Sequence, residues 1–300
     1  MKQAFYFMLC CFSFGQLSLN GQIDYDKFPS SVKKVLIQDL IVTTKANATP
    51  QKASILINNG KIERISSTLK PSYDTKTIVL DSFYAYPGFI AGLSHAGLKQ
   101  AEESKDAPKV KFPGAPPNDV AGITPEQSAL DFYDANESSI EQYRAAGFTV
   151  IQSAPKGRML PGSSDVFLLT GKAAHEVSLY EKSGMFSQFR GAKGVYPRTV
   201  IAIMAKWRDL YNNAKNAGQF INSYNSNSNL DRPNYDPSIK ALIPLAKGSV
   251  PLYFKTPKLK DVYRALSLQE DLGCRMVLTD VRQIQAIRGV KLCLLHLRIF

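Results

Sequence analysis

The chain has 300 residues, 44% hydrophobic and 21% charged, and its 37 Lys and Arg against 25 Asp and Glu give a formal charge of +12. That is enough chain for a sizeable core in one large domain or two, which excludes a disordered tail and a mini-protein. Beyond the N-terminus no run of about 18 apolar residues occurs, which excludes a helical membrane span from the mature chain.

In chain order, the first feature is Lys2 followed by the apolar run Ala4–Phe14 and the more polar GQLSLNGQ. A short positive region, an apolar stretch and a polar flank are the pattern of an export signal. Residues 1–21 are therefore expected to be a signal peptide, and the mature protein to be exported, either periplasmic or secreted. Cys10 and Cys11 leave with that leader, and Cys274 and Cys293 are too few for a disulfide framework. Stability must then come from packing.

Short strands follow: Val35–Thr44, then Ala53–Ile65, in which Asn59–Gly60 separates two apolar runs, then Thr77–Ile90. Asn-Gly is a strong hairpin signal because both central residues of a type I′ turn need positive φ. After Ile90 the pattern changes to strands alternating with longer helical segments. Phe89–Leu93, Phe148–Ser153, Ser249–Phe254 and Arg275–Thr279 read as strands. The end of Pro125–Ala146, Thr199–Phe220, Pro237–Lys247 and Lys258–Gly273 read as helices. Lys105–Pro117 and the Asn/Ser-rich Asn222–Pro237 read as surface connectors. Alternation of this kind predicts a parallel α/β sheet or barrel.

The segment Tyr86-Pro87-Gly88-Phe89-Ile90-Ala91-Gly92-Leu93-Ser94-His95, with the preceding ILINNGKIERI and VLDS, resembles the N-terminal region of the amidohydrolase superfamily, the metal-dependent hydrolases of the imidazolonepropionase-like kind. Pro251–Val281 is similar to later βα units of such enzymes. The resemblance implies a small N-terminal β-sandwich portion (residues 33–87) followed by a TIM-type (β/α) barrel (residues 88–281). It also implies hydrolysis of cyclic or linear amide C–N bonds in a small-molecule substrate. The family's motif, Pro-Gly-Phe-Ile-Asp-x-His-x-His, supplies two His ligands to a divalent, zinc-like metal. Alternate strand residues point the same way, so two such His face the barrel mouth together, and the metal activates a water.

This chain departs from that pattern. Ala91 stands where the family has Asp, Leu93 where it has the first His, and only His95 remains, either as the metal ligand of a weakened site or as a barrel-mouth histidine satisfied by a hydrogen bond. Four strands after the sandwich amount to an incomplete barrel of about four βα units, against the eight of a full one. Residues 282–300 lose the amphipathic pattern, as an out-of-frame translation would; the other reading is a terminal edge strand, LCLLHLRIF. His296 lies in that tail and receives no role. An open barrel exposes a sheet edge, so self-association is expected. Two functions stay open: an exported amidohydrolase impaired in this chain, and a non-catalytic pseudoenzyme or truncated barrel with a binding role.

Other candidates are weaker. Asp280, after the last strand, reaches the barrel mouth by position and could meet a metal or substrate, or could cap a loop. Ser163 or Ser164 with Asp165 and His175 would form a hydrolytic relay, yet G-x-S-x-G is absent. Gly157–Gly162 contains no phosphate-binding motif. The Lys groups at 33–34, 105–111 and 255–260 are dispersed solvated faces, which excludes a nucleic-acid partner. Asn47-Ala48-Thr49 and Asn136-Glu137-Ser138 match the glycosylation sequon.

Overall fold

A computed structural model describes residues 34–282 except 46, 101–105, 228–230 and 232. The expected leader, Cys10, Cys11, Cys293, His296 and the tail from 283 onward lie outside the described residues. The chain divides into two compact units, Met1–Pro87 and Gly88–Phe300.

In the first unit, β1 (Lys34–Val42) pairs antiparallel with β2 (Gln51–Asn58), which pairs antiparallel with β3 (Lys61–Ser66). The turn between β2 and β3 is Asn59–Gly60 with φ of 50° and 75°, the conformation expected from the sequence. On its other side β1 runs parallel to β4 (Thr75–Val79) and then β5 (Tyr84–Ala85). Leu40, Val42 and Ile55 form the core of this unit with Ile37, Ala53, Ile57, Leu80 and Ala85 around them. Where a β-sandwich portion is expected, the described residues form one five-stranded sheet.

The second unit is built on a barrel-like six-stranded sheet in the order β11-β10-β9-β8-β7-β6. These are β6 (Phe89–Ser94), β7 (Phe148–Ser153), β8 (Gly162–Leu168), β9 (Ser178–Gln188), β10 (Leu252–Lys255) and β11 (Met276–Thr279). The pairs β6/β7, β9/β10 and β10/β11 are parallel, whereas β8 is antiparallel to both its neighbours. This corrects the expected four parallel strands: β8 and β9 were missed. Gly162-Ser163-Ser164 carries loop chemistry, yet Gly162 to Asp165 are buried between two strands, where small residues fit and alternation is lost.

Helices cover one face of this sheet: α1 (Asn118–Ala121), α2 (Ser138–Ala145), α3 (Ala174–Val177), α4 (Val200–Ser226), α5 (Pro237–Ala246) and α6 (Leu259–Leu272), with a 3-10 turn at Ala129–Phe132. Thr199 caps α4 by accepting from the Ala202 N–H, and Asp236 caps α5 the same way from Ser238, with Pro237 just inside the helix. Gly273, at φ 64°, ends α6 in the left-handed conformation that glycine adopts without strain. α4 runs six residues past Phe220, into the stretch read as a connector. There Ser223 and Ser226 donate to the carbonyls of Gln219 and Asn222, which lets these polar residues stay helical.

The larger core joins α4, α5 and α6 to β9 and β10 through Trp207, Leu210, Leu242, Leu245, Leu252, Phe254 and Leu268. A second cluster packs α2 on β6, β7 and β8 through Ala91, Ile140, Ile151 and Phe167. The fully buried Trp207 donates from Nε1 to Ser187 Oγ at 3.0 Å, and Ser187 donates to the Met159 carbonyl at 2.7 Å. Truncating Trp207 to Ala should cost roughly 3–5 kcal/mol of unfolding free energy in urea melts. Trp207→Phe should cost less, since it keeps an aromatic ring in the core and loses the hydrogen bond and part of the buried volume. Because Trp207 is the chain's one tryptophan, its emission in the native wild type should be blue-shifted relative to the denatured state.

Candidate functional site

Register fixes which residues share a face of the six-stranded sheet. Met185 and Ser187 of β9 pair with Leu252 and Phe254 of β10 on the helix-covered face. The alternate residues, Phe186 and Gln188 of β9 with Tyr253 and Lys255 of β10, therefore lie on the other face. The same alternation puts Gln152 of β7 on that face, opposite Ile151 and beside its β6 partner Leu93. At the C-terminal end of the parallel strands this face carries Gln188, Lys255 and Thr279, with His95 immediately after β6.

His95 is held from two sides. Its Nδ1–H donates to the Ala154 carbonyl at 2.7 Å, because a carbonyl can only accept, and its ring meets the Phe186 ring edge-on at 5.2 Å. In the neutral ring this leaves Nε2 as a lone-pair acceptor. Burial pushes the His95 pKa below 6.5; the bond to Ala154 opposes that shift, and the Lys255 and Lys156 charges add to it.

Lys255 forms an ion pair with Asp280 at 3.7 Å. Asp280 also takes Arg282, with Nε to Oδ1 at 3.0 Å and Nη2 to Oδ2 at 3.4 Å. The Arg282 hydrogen bond, and the Arg282 and Lys255 charges, hold the Asp280 carboxyl below the usual carboxylate range against partial desolvation. Asp280 thus reaches the strand ends as expected, and its carboxylate is engaged by two cations. Behind it, the buried Thr256 donates its N–H to the Thr279 carbonyl at 2.9 Å and ties the ends of β10 and β11 together. The loop after β7 is clamped as well. Gln188 and Arg190 both donate to the Gly157 carbonyl, at 2.6 and 3.2 Å, and Gln100 brackets the Lys156 backbone.

The other hydrolytic candidates are not brought together. Ser163 donates to the Gln127 carbonyl and Ser164 to that of Gly184. The fully buried Asp165 accepts from Ser128 Oγ, from the Leu130 N–H at 2.7 Å and from the Lys182 N–H at 2.5 Å. These bonds commit both carboxylate oxygens to tying β8 to β9 and to the 3-10 turn, and no bond joins Asp165 to His175. His175 stands exposed on α3. The relay imagined from Ser163 or Ser164, Asp165 and His175 is therefore corrected to a structural clasp.

Among the described residues no three His, Cys, Asp or Glu side chains converge as a metal centre. Leu93 presents hydrocarbon where a second imidazole would be needed, and Ala91 is buried against Ile151 and Phe167. Two ammonium groups raise the positive potential at His95, which opposes a cation on Nε2. Of the motif positions, His95 alone offers a metal-ligating atom among the described residues. Sequence reasoning missed Lys255, grouped there with solvated lysines; its place as the last residue of LYFK, at the C-terminal end of a parallel strand, was the available signal. Among the described residues, concavities lie along α2 and between Pro113–Gly114 and Tyr196–Thr199.

The structure is similar to that of an amidohydrolase from Thermotoga maritima MSB8, with a TM-score of 0.67 at 19% identity over 81% of this chain and 63% of that one. The likeness is one of fold, and the chain spans under two thirds of the length of the protein it matches. No family model matches the chain, and no curated protein does.

A depressed His pKa means that the folded state stays neutral while the unfolded chain takes up a proton. The stabilisation is complete above pH 6.5 and is lost as pH falls from there through the lower folded value. In an NMR titration His95 should show a midpoint below 6.5, and Lys255→Met should raise it by removing one of the charges that depress it. A His95 midpoint at or above 6.5 would contradict the buried, cation-flanked environment.

Proposed function

We propose that this chain is an amidohydrolase-like scaffold that binds a small molecule at the C-terminal mouth of its sheet without performing metal-dependent hydrolysis there. The observation that carries this reading is the mouth's charge: a neutral His95 flanked by Lys255 and Lys156, with Leu93 in place of a second imidazole. A lone imidazole in a positive field is a poor cation site and a good place for a neutral or anionic guest. The export leader would place this activity outside the cytoplasm.

One observation favours the second reading, an amidohydrolase hydrolysing non-peptide C–N bonds with metal-activated water. A His whose Nδ1–H is bonded to a backbone carbonyl, with Nε2 free, is oriented as metal-bound His residues are. That reading requires further ligands from outside the described residues.

Metal content of the full chain, purified without chelator and measured by plasma mass spectrometry, separates the two. The binding-scaffold reading expects zinc, manganese and iron at background in both wild type and His95→Ala. About one equivalent of metal in the wild type that is lost in His95→Ala would overturn it in favour of the hydrolase.

A further inference from the structure

The sheet register places three chemically different groups on one face, and their unused bonding capacity describes a ligand. The first is Lys255. Its ammonium has Asp280 as an ion-pair partner at 3.7 Å, beyond the roughly 2.7–3.2 Å of a good hydrogen bond. Asp280 in turn bonds Arg282 through both carboxylate oxygens, and its pairing with Lys255 engages one of the ammonium's three donors and leaves two for a guest. The second is His95 Nε2, the acceptor left over when Nδ1–H donates to Ala154. The third is Leu93, two residues before His95, an apolar wall in place of the polar residue a metal centre would need.

These groups are neighbours by construction. Phe186, which touches the His95 ring, lies on β9 two residues before Gln188, the partner of Lys255 on β10. Two residues along a strand are about 7 Å and adjacent strands about 5 Å apart, so a short molecule spans from the imidazole to the ammonium.

From this juxtaposition we propose that Lys255 and His95 form a two-point subsite for a small carboxylate that also carries an amide N–H or a hydroxyl. The carboxylate takes the ammonium of Lys255, and the N–H or O–H donates to His95 Nε2. The inference deepens the binding-scaffold reading and rests on it. A fully ionised inorganic anion is the poorer guest, because Nε2 offers it a lone pair and no proton. Lys156, placed after β7, adds to the attraction for negative charge without making the point contact.

The subsite rests on one ion pair and one hydrogen bond, so its affinity should be roughly millimolar. The test is calorimetric and NMR titration of the full chain, treated with EDTA and dialysed, using four probes. N-acetylglycine has both groups, acetate lacks the donor, N-acetylglycinamide lacks the carboxylate, and sulfate is the fully ionised plain anion. N-acetylglycine should bind one to one and move the His95 Nε2 resonance. Acetate and N-acetylglycinamide should bind at least about fivefold more weakly. Lys255→Met and His95→Phe should each weaken N-acetylglycine about tenfold, while Lys172→Met, on the surface beside α3, leaves it unchanged. Native Trp207 emission in each variant shows that it has folded.

Undiminished binding to a folded Lys255→Met variant would overturn the subsite. So would sulfate binding as tightly as N-acetylglycine, or no saturable binding of N-acetylglycine to the metal-free wild type. Metal bound by the untreated protein overturns the scaffold reading instead, and N-acetylglycine binding after EDTA decides the subsite separately.

Discussion

Strand β9 is the constraint on which the second unit depends, because its two faces serve two different purposes. Ser187 points into the helix layer, where it accepts from Trp207 and donates to Met159; Phe186, the next residue back, points the other way and holds the His95 ring. A strand's alternation makes these two contacts inseparable in position. The helix packing that buries Trp207 therefore also sets where the imidazole stands. The rest of the mouth follows, since β10 brings Lys255 into register with Gln188, and β11 brings Thr279 beside Lys255 and Asp280 just beyond it.

Much of this was legible in the residues themselves. Asn59–Gly60 announces its turn because few residues tolerate two successive positive φ angles. α5 and α6 announce themselves through Pro237 at the start of one and Gly273 at the end of the other. The Pro-Gly-Phe-Ile segment pointed to an amidohydrolase-like fold, and the Thermotoga maritima likeness agrees at the level of the fold. What escaped was non-local. β8 is held by the Asp165 clasp to Ser128, Leu130 and Lys182, partners up to 37 positions away, and nothing in Gly-Ser-Ser-Asp signals that these groups will be buried and satisfied. Lys255 escaped for a related reason: a lysine near other lysines looks solvated until register shows which face it occupies.

The mouth is also informative as an electrostatic object. Metal-dependent hydrolysis relies on a concentrated positive charge held by neutral or anionic ligands. Here positive charge is supplied by side chains, Lys255, Lys156 and Arg282, and the one carboxylate among them is committed to pairing. Burial lowers the His95 pKa and the lysine charges add to that shift, so the surroundings that oppose a positive charge on the ring preserve an acceptor. Among the described residues, charge and hydrogen-bonding capacity are thus divided between neighbouring strand ends.

The antiparallel strand β8 carries an implication for how the chain assembles. Parallel partners meet only after a long excursion: Leu252 pairs with Met185, sixty-seven positions back, and Phe148 with Phe89, fifty-nine back. Across β8 and β9, Phe167 meets Ser178 only eleven positions on. Closing the shorter loop sacrifices less chain entropy, and pairings of low sequence separation form earlier. The β8–β9 ribbon is then the natural template on which the slower parallel strands collect, and Phe186 and Ser187 are already in line within it before their partners arrive.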